Sequence, residues 1–136
     1  MLKKIGPIEL CKAVKALIEN KTHIACYDVP PINAPSPLYY VELAATKPDN
    51  TKTMYIDSFI IWIHAIAKAS KSNVEIYKLI EELDDIMTCE IKLPESVNLI
   101  KQQSNGLQAL KEDETKEKHA VMAYEFKIAY GFKSKI

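Results

Sequence analysis

Residues 53–65 read TMYIDSFIIWIHA, and this stretch decides the fold class of the chain. Its β-branched and aromatic residues are typical of a β-strand. Alternation puts Tyr55, Phe59, Ile61 and Ile63 on one side, and Ile56, Ile60 and Trp62 on the other. Both sides are apolar, so we expect the strand to be covered on both faces. The second cover is either a loop or helix of the same chain or a partner subunit, which makes Ile56, Ile60 and Trp62 a candidate subunit interface.

A helix follows this strand. Ser72 and Glu75 have the spacing of a capping box, with Ser72 at the cap. Apolar residues at helical spacing predict a core-facing stripe: Ile76, Leu79, Ile80, Leu83, Ile86 and Met87. The outer face carries a candidate acidic surface: Glu81, Glu82, Asp84 and Asp85. Adjacent carboxylates on a helix do not converge on one centre, so we interpret this face as solvated and not as a metal or acid–base site.

The last third of the chain predicts a long β-hairpin. Residues 97–110 form its first strand, interrupted at Asn105–Gly106 by a bulge or a tight bend. Residues 111–118 are almost all charged and form the tip. Residues 119–130 alternate cleanly, with Met122, Tyr124, Phe126, Ile128 and Tyr130 facing the core.

Upstream of residue 53 the pattern predicts a helix, a rigid loop and a strand. Pro7 stands at the first helical position. Ile8, Cys11, Val14 and Ile18, with Leu10 and Leu17 beside them, form an apolar stripe, and the helix ends near Asn20–Lys21. Four prolines between residues 30 and 37 exclude a helix or a central strand, so residues 27–37 form a loop. Residues 38–46 are the next strand. The prediction is one α+β domain over residues 1–136, in which two helices pack a mainly antiparallel four- or five-stranded sheet in the order α-β-β-α-β-β.

Composition excludes several functions. All 18 basic residues are Lys, so no arginine finger or bidentate Arg fork is available. Three glycines cannot build a Gly-rich phosphate loop, and a net charge of zero argues against a free-standing nucleic-acid binder. Three widely spaced cysteines are typical of a reduced, cytoplasmic chain. His23 and Cys26 are a weak nucleophile–base pair, and we predict no catalytic residue, cofactor or metal.

The order of motifs resembles the tail-completion or tail terminator (head-to-tail joining) proteins of long-tailed bacteriophages. The resemblance lies in an amphipathic first helix, the segments Tyr27–Asp28–Val29–Pro30 and Pro37–Leu38–Tyr39–Tyr40–Val41, the apolar strand with a late Trp62, the following helix and the charged-tipped hairpin. The family often has Gly after the first long strand and Arg in the hairpin. This chain has Ala44 and Ala45 and no Arg.

The resemblance implies a non-enzymatic virion assembly protein of a phage or prophage. It implies a ring of this chain, a hexamer, which caps the head-proximal end of the tail tube and contacts the tail-tube and head-connector proteins. The protein would assemble in the host cytoplasm and remain in the virion, without specific nucleic-acid binding or a membrane. The acidic helix face, or the tip, would line the lumen and repel passing DNA. The candidate docking residues are Tyr27, Val29, Pro30, Glu112, Asp113 and Glu114.

Two other interpretations are open at this point. One is a small cytoplasmic ligand-binding or enzymatic domain with a pocket between the Pro-rich loop and the hairpin, near His23, Cys26 and Tyr27. The other is a tail-tube or connector subunit, because related phage roles share one fold.

Overall fold

A computed structural model describes residues 3–133 and confirms the predicted α+β fold. In chain order its elements are α1 (Pro7–Thr22), β1 (Cys26–Tyr27), β2 (Leu38–Pro48), β3 (Met54–Ala67), α2 (Val74–Ile86), β4 (Asn98–Glu112) and β5 (Lys118–Phe132). Only β1 was not predicted. Two residues are too few for a periodic pattern to be recognised in the sequence.

The sheet is five-stranded with the order β1-β2-β3-β5-β4. β1 pairs with β2 in parallel, and the other neighbours are antiparallel, so the sheet is mixed and mostly antiparallel. The stretch that decides the fold lies in β3, at the centre, where it pairs with β2 on one side and β5 on the other.

The core lies between one face of the sheet and the two helices. On that face Phe59 pairs with Phe126 and Ile61 with Tyr124, and all four side chains are buried. The helices add Leu10, Val14, Ile18, Ile76, Leu79 and Leu83. The predicted inward residues of β5 all belong to this core, which confirms their alternation.

α1 begins at Pro7 as predicted, but one residue of its stripe was wrong. Ile8 is 74% exposed, and the helix contacts the core through Leu10, Val14 and Ile18. These three residues are spaced by four and lie one above another on a single helix face. Ile8 lies outside that row, because the stripe passes through Leu10.

The start of α2 also differs from the prediction. Asn73 and not Ser72 is the N-cap, and no side chain caps the helix. The Ser72 hydroxyl accepts a hydrogen bond from the Val74 amide at 3.4 Å, and Glu75 lies 3.9 Å from Lys78 instead of reaching back to the cap. The hydroxyl therefore closes a local turn, which competes with capping. The apolar stripe of α2 is confirmed, with Ile76, Leu79, Leu83 and Ile86 buried.

Bulges shape the edges of the sheet. The register of β2 against β3 shifts between Leu43 and Ala45, so Ala44, where the family often has Gly, lies at a bulge within β2. β4 shifts register three times against β5, and one shift includes Gly106 at φ 87°. The Asn105–Gly106 interruption is thus a bulge, as one of the two predicted possibilities. The hairpin strands continue into the charged segment to Glu112 and from Lys118, so that residues 113–117 form the turn.

Candidate interaction surfaces

The sheet face opposite the helices is the open face. Neither described helix packs on it, because α1 and α2 both belong to the core on the other side. Its two central strands contribute Ile56, Ser58, Ile60, Trp62, His64 and Ile66 from β3, and His119, Val121, Ala123, Glu125, Lys127 and Ala129 from β5. Next to them lie Tyr40 and Glu42 of β2. Among the described residues, neither helix forms a second layer over this surface.

The three residues predicted for a subunit interface all lie on the open face. Trp62 is 36% exposed and stands between Glu42 on β2 and Ala123 on β5. Ile60 is half-buried, whereas Ile56 is only 7% exposed. Trp62 and Ile60 therefore present apolar surface to a partner, whereas Ile56 is buried and offers little surface for contact.

A polar group borders this apolar centre towards the β2–β3 turn. The Lys101 ammonium is 2.9 Å from Glu125 Oε1, and the Ser58 hydroxyl donates to Glu125 Oε2 at 3.1 Å. These contacts, Lys101 first, hold the pKa of Glu125 below its usual range. Lys127 pairs with Asp49 at 2.8 Å. The carboxylates and ammonium groups are matched here, so the border is polar without a strong net charge.

A buried pair of histidines borders the apolar centre at the other end. His64 Nδ1 is 2.8 Å from His119 Nε2, and His64 Nε2 is 2.8 Å from Glu42 Oε1. His119 Nδ1 is 3.8 Å from Asp113 Oδ2, and the Tyr40 ring stacks on His64 at 4.1 Å. Both imidazoles are less than a tenth exposed. Sequence reasoning missed this cluster, since the two histidines are 55 residues apart and only the pairing of β3 with β5 brings them together.

The acidic residues predicted for a lumen surface divide into two kinds. Tyr124 donates a 2.6 Å hydrogen bond to Asp84 Oδ1, and the Tyr39 hydroxyl is 3.2 Å from Glu82 Oε1. Burial, and then the nearby carboxylate, raises the pKa of each tyrosine. All four carboxylates are exposed. Glu82 and Asp84 in addition link α2 to the sheet, whereas Glu81 and Asp85 take no part in these two contacts.

The predicted docking residues lie in two segments near one end of the sheet. Leu38, which ends the Pro-rich loop, pairs with Ile66, and Ile66 pairs with His119 next to the β4–β5 turn. In the loop Val29 is 83% exposed, and Ile32, which was not predicted, is 93% exposed. Tyr27 is half-buried and pairs with Tyr40. In the turn segment Glu112 and Glu114 are exposed and Asp113 is half-buried.

The structure disfavours a ligand-binding or catalytic pocket near His23, Cys26 and Tyr27. Cys26 is 1% exposed, and burial, followed by the Glu19 charge, raises the pKa of its thiol to about 12. A buried thiol of such high pKa is a poor nucleophile. His23 follows α1 in a left-handed conformation. Clefts of about 330 and 380 Å³ lie near the loop, and neither is lined by His23, Cys26 or Tyr27. Strands β2, β3 and β5 separate β1 from β4, the outer strand of the hairpin.

Within residues 3–133 no group of three or more His, Cys, Asp or Glu side chains is placed to hold a metal ion. Neither α1 nor α2 is long and apolar enough to cross a membrane.

Comparisons with known proteins agree with the resemblance. A sequence model of one phage tail family, described as "Putative tail termination protein", matches residues 1–136. Among solved structures, the chain is similar to a chain of the "Virion of native gene transfer agent (GTA) particle", with 14% identity and a TM-score of 0.59. The likeness covers 85% of this chain and 84% of that one, and shows a shared fold. No curated protein matches the chain.

Proposed function

Because the chain belongs to the phage tail terminator family, whose members are structural proteins and not enzymes, we propose that it caps the head-proximal end of the tail tube. There it stops growth of the tube and joins it to the head connector. The observation that carries this proposal is the family match over residues 1–136.

The protein acts as a ring, a hexamer, in which the open face contacts a second copy of this chain. A cyclic ring is closed by heterologous contacts, so each subunit needs an apolar surface in addition to its own core. The centre of the open face supplies one, with Trp62 exposed and Ile60 half-buried between polar borders. An aromatic anchor surrounded by polar groups is typical of the centre of a protein interface.

The two edges of the sheet are poorly suited to strand pairing, which favours contact between subunits through the open face. β4 is an edge strand with three register shifts, and bulges prevent a regular strand from pairing with it. At the other edge β1 pairs with only two residues of β2, and the part of β2 beyond them has a register shift between Leu43 and Ala45 and ends at Pro48, which has no amide hydrogen to donate. Strand addition at either edge is therefore disfavoured, and the subunits associate by packing side chains of the open face.

Negative charge lines the lumen through which DNA passes. Glu81 and Asp85 on α2 carry it outward, and Glu82 and Asp84 add charge while bonded to the sheet. Carboxylates repel phosphates, so the DNA slides without specific binding.

The Pro-rich loop and the β4–β5 turn dock the tail-tube protein and the head-connector protein. Val29 offers an exposed apolar contact on a segment that Pro30 stiffens. Glu112, Asp113 and Glu114 add acidic groups at the same end of the sheet. Assembly takes place in the host cytoplasm, and the chain, encoded by a phage or a prophage, then remains in the virion.

The capping role is tested by adding the protein to purified tail tubes assembled without it. We expect rings on the tube ends, no further elongation, and attachment of heads, all visible by electron microscopy. The parent protein failing to bind tubes or heads would overturn the capping role.

The ring interface is tested separately with Trp62→Asp, which places a charge at the centre of the open face. We expect this variant to lose ring formation in light scattering. Tyr77→Asp is the matched control, because Tyr77 is a 48% exposed aromatic residue on α2, away from the open face. Ring formation by Trp62→Asp at parent concentrations would contradict the open-face interface.

The lumen proposal is tested with the double variant Glu81→Gln and Asp85→Asn, which removes two charges without touching the bonds of Tyr39 and Tyr124. We expect normal assembly and slower DNA ejection. Ejection at the parent rate would refute a role for this charge.

A further inference from the structure

The histidine pair lies where the β4–β5 turn meets the open face. His119 is the second residue of β5, and Asp113 is the first residue after β4. The turn itself is held by the Asp113 amide, which donates to the Glu117 carbonyl at 2.8 Å, and by the Lys116 amide, which donates to the Asp113 carbonyl at 2.9 Å. We propose that one proton added to the His64–His119 pair closes a latch between this turn and the open face.

The hydrogen bonds fix the tautomers of the neutral pair. The Glu42 carboxylate is an acceptor, so His64 Nε2 carries a hydrogen and donates to it across 2.8 Å. His64 Nδ1 is then unprotonated and accepts from His119 Nε2. This leaves His119 Nδ1 unprotonated, facing Asp113 Oδ2 at 3.8 Å. Two acceptors face each other there, and they do not bond.

A proton on His119 Nδ1 completes the chain of bonds. The new N–H points at Asp113, and a charge-assisted hydrogen bond of about 2.8 Å becomes available when the carboxylate moves in. The order is then Asp113, His119, His64 and Glu42, with one positive charge between two carboxylates. A second proton has only His64 Nδ1 to occupy, and it would oppose the His119 N–H at 2.8 Å. The pair therefore holds one added proton and not two.

The groups around the pair decide when the latch closes. Burial and the neighbouring His64 lower the pKa of His119, Asp113 raises it, and Lys111 on β4 lowers it. From β2, Glu42 accepts from His64 and the Tyr40 ring covers it. Burial outweighs the Asp113 attraction, so the latch closes below the ordinary histidine range near pH 6.5. The device belongs to a single chain and does not depend on the ring or on capping.

Nuclear magnetic resonance of the imidazoles and amide exchange of the turn test this inference on the isolated protein. At pH 7.5 we expect Nε2–H tautomers on both histidines. On lowering the pH to 5 we expect a new Nδ1–H on His119. After correction for intrinsic rates, the Asp113 and Lys116 amides, which hold the turn, should gain protection, by about tenfold for each pKa unit of coupling.

Three variants separate the latch from a general pH effect. His119→Gln keeps a donor towards His64 but cannot take the proton, so its turn protection should not change with pH. Asp113→Asn should lower the pKa of His119, because the coupling between the turn and the proton is reciprocal. His23→Asn, on a histidine remote from the pair, should behave as the parent. The latch is wrong if turn protection in the parent ignores the titration of His119, or if Asp113→Asn leaves the His119 pKa unchanged.

Discussion

The two faces of β3 are both apolar in sequence, yet they lie in different surroundings. On the helix-covered face Ile61 and Phe126 are fully buried beneath α1 and α2. On the open face Trp62 and Ile60 retain exposure, and small residues such as Ala123 lie between them. An apolar face predicts that something covers it, but whether that cover is the same chain or a partner depends on where the helices pack.

The largest effect should come from emptying the helix-covered face. Ile61→Ala removes a buried side chain, and we expect the free energy of unfolding to fall by about 2–5 kcal/mol. Ile60→Ala is the matched control, since it is the same change one residue away on the open face. Urea denaturation of dilute protein measures both, and equal losses would show that the faces do not differ in burial within the single chain.

The comparison predicts the reverse ranking for assembly. Trp62→Ala should weaken subunit association by about 2 kcal/mol or more, which is roughly thirtyfold in the dissociation constant, as expected of an aromatic anchor. Its cost to the isolated chain should be smaller, because Trp62 is 36% exposed. Sedimentation across concentrations gives the first value. Tyr77→Ala should leave it unchanged, whereas an unchanged dissociation constant in Trp62→Ala would move the interface away from the open face.

Local patterns predicted most of this fold, because each element has its own periodic signal. The alternation in residues 119–130 identified the inward side chains of β5, and the stripe of α2 identified its core face. The capping-box prediction was wrong for a different reason. A hydroxyl such as that of Ser72 has several amides within reach, and sequence does not select among them.

The acidic face of α2 shows the same limit. Asp84 was predicted as part of a solvated surface, but the Tyr124 hydroxyl crosses from β5 and donates to it at 2.6 Å. Tyr124→Phe should cost about 1.5–3 kcal/mol, the usual value for a hydrogen bond to a charged group. Tyr130→Phe is the matched control, because among residues 3–133 the buried Tyr130 hydroxyl has no hydrogen-bond partner. Thermal unfolding compares them, and an equal cost for both would mean that the Asp84 bond adds no stability.

The candidate site was predictable only in part. Trp62, Ile60 and Ile56 were found because alternation within one strand fixes their side. The His64–His119 pair was not found, since each histidine lies on an outward position of its own strand and sequence does not state which strands are neighbours. Ile66 pairs with His119 and His64 pairs with Val121, so the two histidines are diagonal neighbours on adjacent strands. Which strands are adjacent is a property of the whole sheet.

The smallest expected effect is the pH dependence that this pair gives to stability. The folded-state pKa of His119 is lowered, mainly by burial, below the value of about 6.5 expected in the unfolded chain. The unfolded state therefore binds more protons between these two values, and stability rises with pH there. We expect the free energy of unfolding to fall from pH 7.5 to pH 5, by at most about 1.4 kcal/mol for each pKa unit by which folding lowers the pKa of His119.

His119→Gln should remove that slope, because glutamine does not titrate. The lowered pKa values of Asp49, Glu112 and Glu125 act in a different window, since their stabilisation is complete above the unfolded carboxyl values near pH 4 and is lost only below them. Urea midpoints measured between pH 5 and pH 7.5 thus isolate the histidine. An unchanged slope in His119→Gln would place the titrating group elsewhere, and the polar end of the open face would then be no more sensitive to acid than the helix-covered face.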